Sequence, residues 1–481
     1  MVEDRHKRAP GFNERFYICR GTEGFYNNFN ITVKYDKHVT AAALSIALKS
    51  LIRKNSWFTH NFFKKDGTDS AIHNGHNWTL QIVNQIRFDD VVSFEKIAHF
   101  NEKVLVKLNE QRVEMNIDKP LWRIIVFEEE ENNNEQLICI YVDHSQFDGL
   151  SAVQFQKDLS RELALIDDDD DDDEKEENET KVKEILFDYS RDLQYLPNKV
   201  MPPAEYATDL YIPPLTTVVN YHLGRYVPFY ENIYNWLYEP KRGEYPLFVN
   251  KSPIRKDMAS KYNILKINPD TTVRITEFCR LHGVSVTAYL DIMVIKALQN
   301  SVFKAMHGTS QLSTTSYVAI NGRRYYARDI QDFRFGSMVC GAEVYLPPIE
   351  NDILFMQEFT KQLTTSIKSK NAFKAIGMLQ YKNAWKLLND KIGKIGGGRQ
   401  TFTISNLGKM TDSNNIYKFK EMYFGASVGV MYNLVVNITT LPNNELTIVF
   451  GYLPEFESLY LDNKNAIEVF TSLFKQYVNN V

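Results

Sequence analysis

Cysteine is scarce in this chain, with four among 481 residues. Cys19, Cys139, Cys279 and Cys340 stand far apart, and none belongs to a CxxC pair. That spacing excludes a disulfide framework and a cysteine-based zinc site, and fits a reducing compartment. No run of about 18 apolar residues occurs, so a transmembrane helix is not expected. The opening residues, Met1 to Arg8, are polar and lack the apolar core of a secretory leader. Net charge is also small, −4, which offers no broad field of one sign to a highly charged partner.

Apolar residues are present in quantity: 44% of the chain is hydrophobic and 13% aromatic. That is enough for a packed core, and the length exceeds the ~250–300 residues at which single cores stop growing. More than one domain, or one large duplicated unit, is expected. The charge is unevenly placed. Residues 167–179 hold eleven acids and one lysine, hence −10, leaving +6 on the other 468 residues. Such a run repels itself and buries nothing, and reads as a disordered, solvated loop. Aromatic residues do not interleave with a basic stripe, so nucleic-acid binding is not expected.

Strand and helix patterns alternate ahead of the acidic run. Phe29, Ile31, Val33 and Tyr35 alternate with polar residues as in a half-buried strand. Thr40 can cap a helix carrying Leu44, Ala47, Leu48, Leu51 and Ile52. A second helix is expected around 93–111. Residues 121–128 and 136–143 read as a hairpin, followed at once by a helical pattern through Ala152, Phe155, Leu159 and Leu163. Residues 196–255, rich in proline and aromatics without a clean period, read as a crossover. A strand over Tyr262–Ile267 then opens a second half. Helices are expected there at 286–304, 350–370 and 463–478, and strands at 315–320, 339–346, 400–405, 430–439 and 445–451. Two α/β halves joined by a long connector follow from this pattern.

The most chemical motif is His144-x-x-x-Asp148-Gly149, set between the second hairpin strand and the helix after it. A histidine there can take a proton from a hydroxyl or amine near neutral pH. The nearby carboxylate can orient the turn, and glycine lets a ligand approach the backbone. Spacing alone leaves an ordinary surface turn equally open. Gly425-Ala-Ser427-Val-Gly429 matches a nucleophile elbow, but that motif needs a following helix and a later histidine. A strand-like stretch follows instead, and the last histidine is His307. His73 and His76 have no acidic or cysteine neighbour, and no metal site is expected. Residues 391–399 form a basic, glycine-rich loop that is neither a Walker loop nor a dinucleotide fingerprint. Its backbone amides with Lys391, Lys394 and Arg399 could hold phosphates, or it could be a flexible hairpin loop.

Four landmarks in order carry a resemblance. They are Pro120-Leu-Trp-Arg123, the His144–Gly149 motif, Phe335-Gly-Ser337 after Asn321-Gly-Arg-Arg324, and the segment Gly396 to Gly408 ending in Ser405-Asn-Leu-Gly. Together they resemble the chloramphenicol-acetyltransferase-like superfamily, and most of all the fungal alcohol O-acetyltransferase family. The doubled histidine of many condensation domains is replaced by Asp143, and the plant branch's DFGWG signature is missing. The terminal amphipathic helices of some fungal members are not evident.

This resemblance implies two chloramphenicol-acetyltransferase-like α/β lobes, each a mixed sheet with flanking helices, and an active-site tunnel between them. The lobes would cover 1–195 and 261–481, with 196–260 as connector. Acetyl-CoA would be the co-substrate, with no permanently bound cofactor, and a small hydrophobic alcohol the acceptor. His144 would be the base and Asp148 structural, with Gly149 beside them and Arg323 as the aspartate's partner. Ser405 or Asn406 would support the oxyanion, and Lys391, Lys394 and Arg399 would meet the CoA phosphates. N-acetylation of a sphingoid-like amino alcohol is the alternative, and a non-catalytic binding module of the same fold is the alternative from another class. A cytoplasmic monomer is expected, with peripheral contact at the endoplasmic reticulum or lipid droplets compatible with the sequence.

Overall fold

The computed structural model describes residues 6–132, 135–168, 181–196, 200–238, 243–256, 259–326, 333–396 and 398–481. Helix α1 (Phe12–Thr22) leads into strand β1 (Phe29–Tyr35) and helix α2 (Ala41–Lys54). Thr40 Oγ1 accepts the Ala43 N–H at 3.1 Å and starts α2 as a side-chain cap. Strands β2 (Val92–Ile97), β3 (Trp122–Glu129) and β4 (Glu135–Val142) follow, and helix α3 (Gly149–Asp168) leaves the end of β4. Within the first sheet, β3 and β4 form the expected antiparallel hairpin, β2 lies parallel to β3, and β1 pairs with β4.

The second sheet begins with β5 (Lys261–Ile267). Helix α4 (Val286–Leu298) precedes β6 (Thr314–Asn321), β7 (Val339–Leu346) and β8 (Phe402–Lys409). The chain then leaves this sheet. Its next strand, β9 (Phe419–Ala426), pairs antiparallel with β1 and completes the first sheet as β9-β1-β4-β3-β2. Strands β10 (Leu434–Thr440) and β11 (Leu446–Tyr452) return to the second sheet, ordered β5-β11-β10-β8-β6-β7. The terminal helix α5 (Ala466–Asn479) covers it through Phe470, Phe474 and Val478. Among the described residues the two largest apolar cores lie one against each sheet, and two small clusters accompany them. Met422, Tyr423 and Phe424 of β9 belong to the first core although they come from the last quarter of the chain.

Several local expectations change. β1 is buried at all seven positions rather than on one face, because β4 and β9 flank it and α3 covers it. Its Lys34 is accommodated by Glu129 at 3.1 Å and Glu421 at 3.4 Å. The helix expected over 93–111 is confined to Glu102–Glu110, where Asn101 caps two N–H groups. The preceding Val92–Ile97 extends instead along β3. The connector holds two helices, Leu215–Tyr226 and Tyr230–Tyr238. Helix α3 extends through Asp168, so the first two aspartates of the acidic run are helical, and Asp167 pairs with Lys37. The rest of the proposed acidic loop lies outside the described residues.

Candidate active site

The loop after β4 is built by short-range hydrogen bonds. Asp143 N–H donates to Leu121 O at 3.2 Å, and Asp143 Oδ1 accepts the Ser145 N–H at 2.7 Å. This Asx turn brings the chain round to Asp148. There Oδ1 accepts the Ser151 N–H and hydroxyl, both at 2.9 Å, and caps α3. The other oxygen, Oδ2, accepts from Arg323 Nη1 at 2.7 Å and from the Met338 N–H at 2.9 Å. Burial raises the Asp148 carboxyl, but the Arg323 charge and these hydrogen bonds outweigh it and leave the group below its ordinary value.

Arg323 stands just past β6 and is fully engaged. Its Nε donates to Phe333 O, and Nη2 donates to Ser151 Oγ and Gly336 O. Gly336 sits at φ +124°, a conformation open to glycine, which explains the Phe-Gly-Ser landmark. The aspartate of the first half is thus tied to an arginine of the second, and neither of its oxygens is left over for proton transfer.

His144 is held differently. Its ring stacks on Tyr17 of α1 at 4.3 Å between centroids, with planes 5° apart, and packs against Phe29 of β1 at 4.9 Å. Nδ1 is sealed from solvent and makes no hydrogen bond of normal geometry. Burial first, and the positive charge of Arg20 second, push the imidazole down to about 4. At neutral pH this histidine is uncharged and able to accept a proton.

His144 lines a cavity of about 330 Å³. The same wall contains Tyr17, Arg20, Asp148, Gly149, Ser405 and Asn437, with Leu379 and Leu387 among its apolar members. Both halves of the chain contribute. A Cβ on Gly149 would come within 2.8 Å of Leu407 Cδ2, so glycine is what lets α3 begin against the end of β8.

The other sequence-predicted residues divide. Ser405 reaches the cavity, whereas Asn406 is turned to Thr287 Oγ1 and the Gly408 N–H and is not among the lining residues. Successive strand residues face opposite ways, so the two could not both reach it. Lys391, Lys394 and Arg399 are close enough for the latter two to depress Lys391, after burial, but they lie outside the cavity lining. Lys391 donates to Gly398 O. Ser427 is followed by a turn and then β10, not by a helix.

Sequence reasoning missed Arg20, Asn437 and the ring cage of Tyr17, Tyr26 and Phe29. A signal existed for the first. Tyr17 and Phe16 lie three and four residues before Arg20, the separations at which helix side chains meet. Asn437 interrupts the apolar strand Leu434–Thr440, and its Nδ2 is buried without a partner.

Against known families, residues 9–478 match the model of the alcohol acetyltransferases. The chain belongs to the alcohol acetyltransferase family. It is similar to alcohol O-acetyltransferase 1 of Saccharomyces cerevisiae, with 20% identity covering 89% of this chain and 87% of that one. Among solved structures it resembles the TRI3 trichothecene 15-O-acetyltransferase of Fusarium sporotrichioides, at a TM-score of 0.64 and 10% identity over 98% and 94% of the two chains. The condensation domain of the monacolin K polyketide synthase MokA gives 0.60 and 11% over 98% of each. The two-lobed acyltransferase fold and the family read from the four landmarks therefore hold, and the alcohol acetyltransferase is an acyltransferase enzyme.

Proposed function

We propose that this alcohol acetyltransferase moves an acetyl group from acetyl-CoA to the hydroxyl of a hydrophobic acceptor, with His144 as general base. The observation that carries this is a neutral imidazole facing an apolar cavity, with its flanking aspartate spent on structure. Nε2 takes the hydroxyl proton as the acceptor oxygen attacks the thioester carbon, a contribution of ~10²–10⁴ in rate. The tetrahedral oxyanion needs a donor in a site poor in water, worth ~10²–10³, and Ser405 Oγ on the cavity wall is suited to it. Collapse breaks the carbon–sulfur bond. The departing thiolate recovers the proton from the imidazolium, leaving an acetate ester and CoA.

Lys391, Lys394 and Arg399 are proposed to meet the CoA phosphates, since burial and then the charges of Lys394 and Arg399 lower Lys391, while Glu455 stands 3.9 Å from Arg399 Nη1. The cytoplasm and a monomeric state are part of the same reading. N-acetylation of an amino alcohol is the second reading, and the positive charge of Arg20 in the cavity weighs against an ammonium there. Purified protein, labelled acetyl-CoA and a panel of alcohols, sterols and sphingoid amines test this. Labelled esters with CoA release are expected. Amide products alone, or no acceptor-dependent release, would overturn it.

A further inference from the structure

Arg20 is a buried cation whose partner is missing from the protein. It is 8% exposed and lines the cavity beside His144. Its Nε is sealed from solvent and has no hydrogen-bond partner, and among the described residues no carboxylate lies within ion-pair distance. Asp143, a buried acid that feels its charge, spends Oδ1 on Ser145 instead. Three rings surround the guanidinium, with Cζ at 4.3 Å from the Tyr26 ring, 5.4 Å from Tyr17 and 5.7 Å from Phe16. Ring faces attract the charge and fix the side chain, but they accept none of its five N–H donors in the guanidinium plane. Arg323 is the contrast, since each of its nitrogens donates to a protein oxygen.

We propose that Arg20 receives an oxygen of the acceptor substrate, a carboxylate or an ester or ketone carbonyl carried near the reacting hydroxyl, and that it excludes acceptors bearing an ammonium. The preferred acceptors are then hydroxy acids, hydroxy esters and hydroxy ketones rather than plain alcohols or amino alcohols. A carboxylate accepts two parallel N–H bonds from a planar guanidinium and a carbonyl oxygen accepts at least one, whereas an alkyl chain or ammonium accepts none. This rests on the acyl-transfer reading above and narrows it.

The test compares wild type, Arg20→Met and Arg20→Lys in the full chain, with octanol, 3-hydroxyoctanoate and 2-amino-octanol as acceptors. The expected result is read as a ratio. In Arg20→Met, kcat/KM for hydroxyoctanoate relative to octanol falls ~10–100-fold, the size of losing a charge-assisted hydrogen-bonded pair. The ratio for amino-octanol rises, and Arg20→Lys lies between for hydroxyoctanoate because it keeps charge but not the planar fork. Unchanged ratios overturn the proposal, including the case in which only KM for acetyl-CoA rises, which would give the oxygen to the donor. Calorimetric binding of octanoate needs no turnover. Wild type should bind it and Arg20→Met should not, so a chain that transfers no acetyl group still reports on Arg20. Equal binding by both would overturn the proposal independently.

Discussion

The base role proposed for His144 requires an uncharged ring, and two features favour one. The ring is walled by Tyr17 and Phe29, which removes water from the charged form, and Arg20 adds a like charge. With the imidazole lowered to about 4 from 6.5, the acidic limb of kcat/KM should fall near pH 4. A limb near 6.5 would mean an unperturbed base. The same shift affects folding. Between about 4 and 6.5 the unfolded chain binds the proton and the folded one does not, so this group's contribution to stability is complete above 6.5 and is lost as pH falls toward 4. Asp148 belongs to a different class of residue. Asp148→Ala should cost about 3–5 kcal/mol by leaving Arg323 buried and unpaired, measured by denaturant unfolding. A loss below ~1 kcal/mol would show that the ion pair is not a structural tie.

At the scale of elements, the site is where α1, the start of α3, the loop after β4 and strands β8 and β10 meet. α1 brings Tyr17 and Arg20 to it, and its first turn is fastened by Glu14 to the Gly11 N–H at 2.8 Å and by Glu205 of the connector to the Asn13 N–H at 2.9 Å. Gly149 sets how closely α3 approaches β8. Gly149→Val should push Leu407 away and slow transfer at least ~10-fold, since displacements near 1 Å can cost 10²-fold. Unaltered kinetics would separate that contact from the chemistry. Much of this was legible in the chain. The hairpin β3–β4, the capped α2 and the His144 loop follow from patterns within a few residues of one another. Arg323 as the partner of Asp148 came from family resemblance, and the 2.7 Å contact shows the two in place. Arg20 stayed hidden because its meaning lies in what does not surround it. The strand at 92–97 was hidden because it is an edge whose pattern is mostly exposed, so alternation carried no signal.

At the scale of the whole molecule, β9 is decisive. It pairs with β1 from Phe419 opposite Tyr35 to Ala426 opposite Phe29, nearly four hundred residues apart, and no local pattern announces such a partner. By crossing to the first sheet between β8 and β10, the chain binds its two cores to each other. The Asp148–Arg323 pair does the same beside the cavity. Met422 of β9 is fully buried in the first core, and Met422→Ala should cost about 2–5 kcal/mol. Calorimetry should then show one transition moved down as a unit. Two separated transitions, only one of them shifted, would mean that the halves unfold independently.

The central claim is that His144 is the base of an acetyl transfer, and CoA release measured with and without an alcohol acceptor tests it most directly. Wild type should release CoA in step with ester formed. His144→Ala should lose that release by ~10²–10⁴-fold while melting near the wild-type temperature. A His144→Ala protein that keeps most of its acceptor-dependent CoA release would contradict the account.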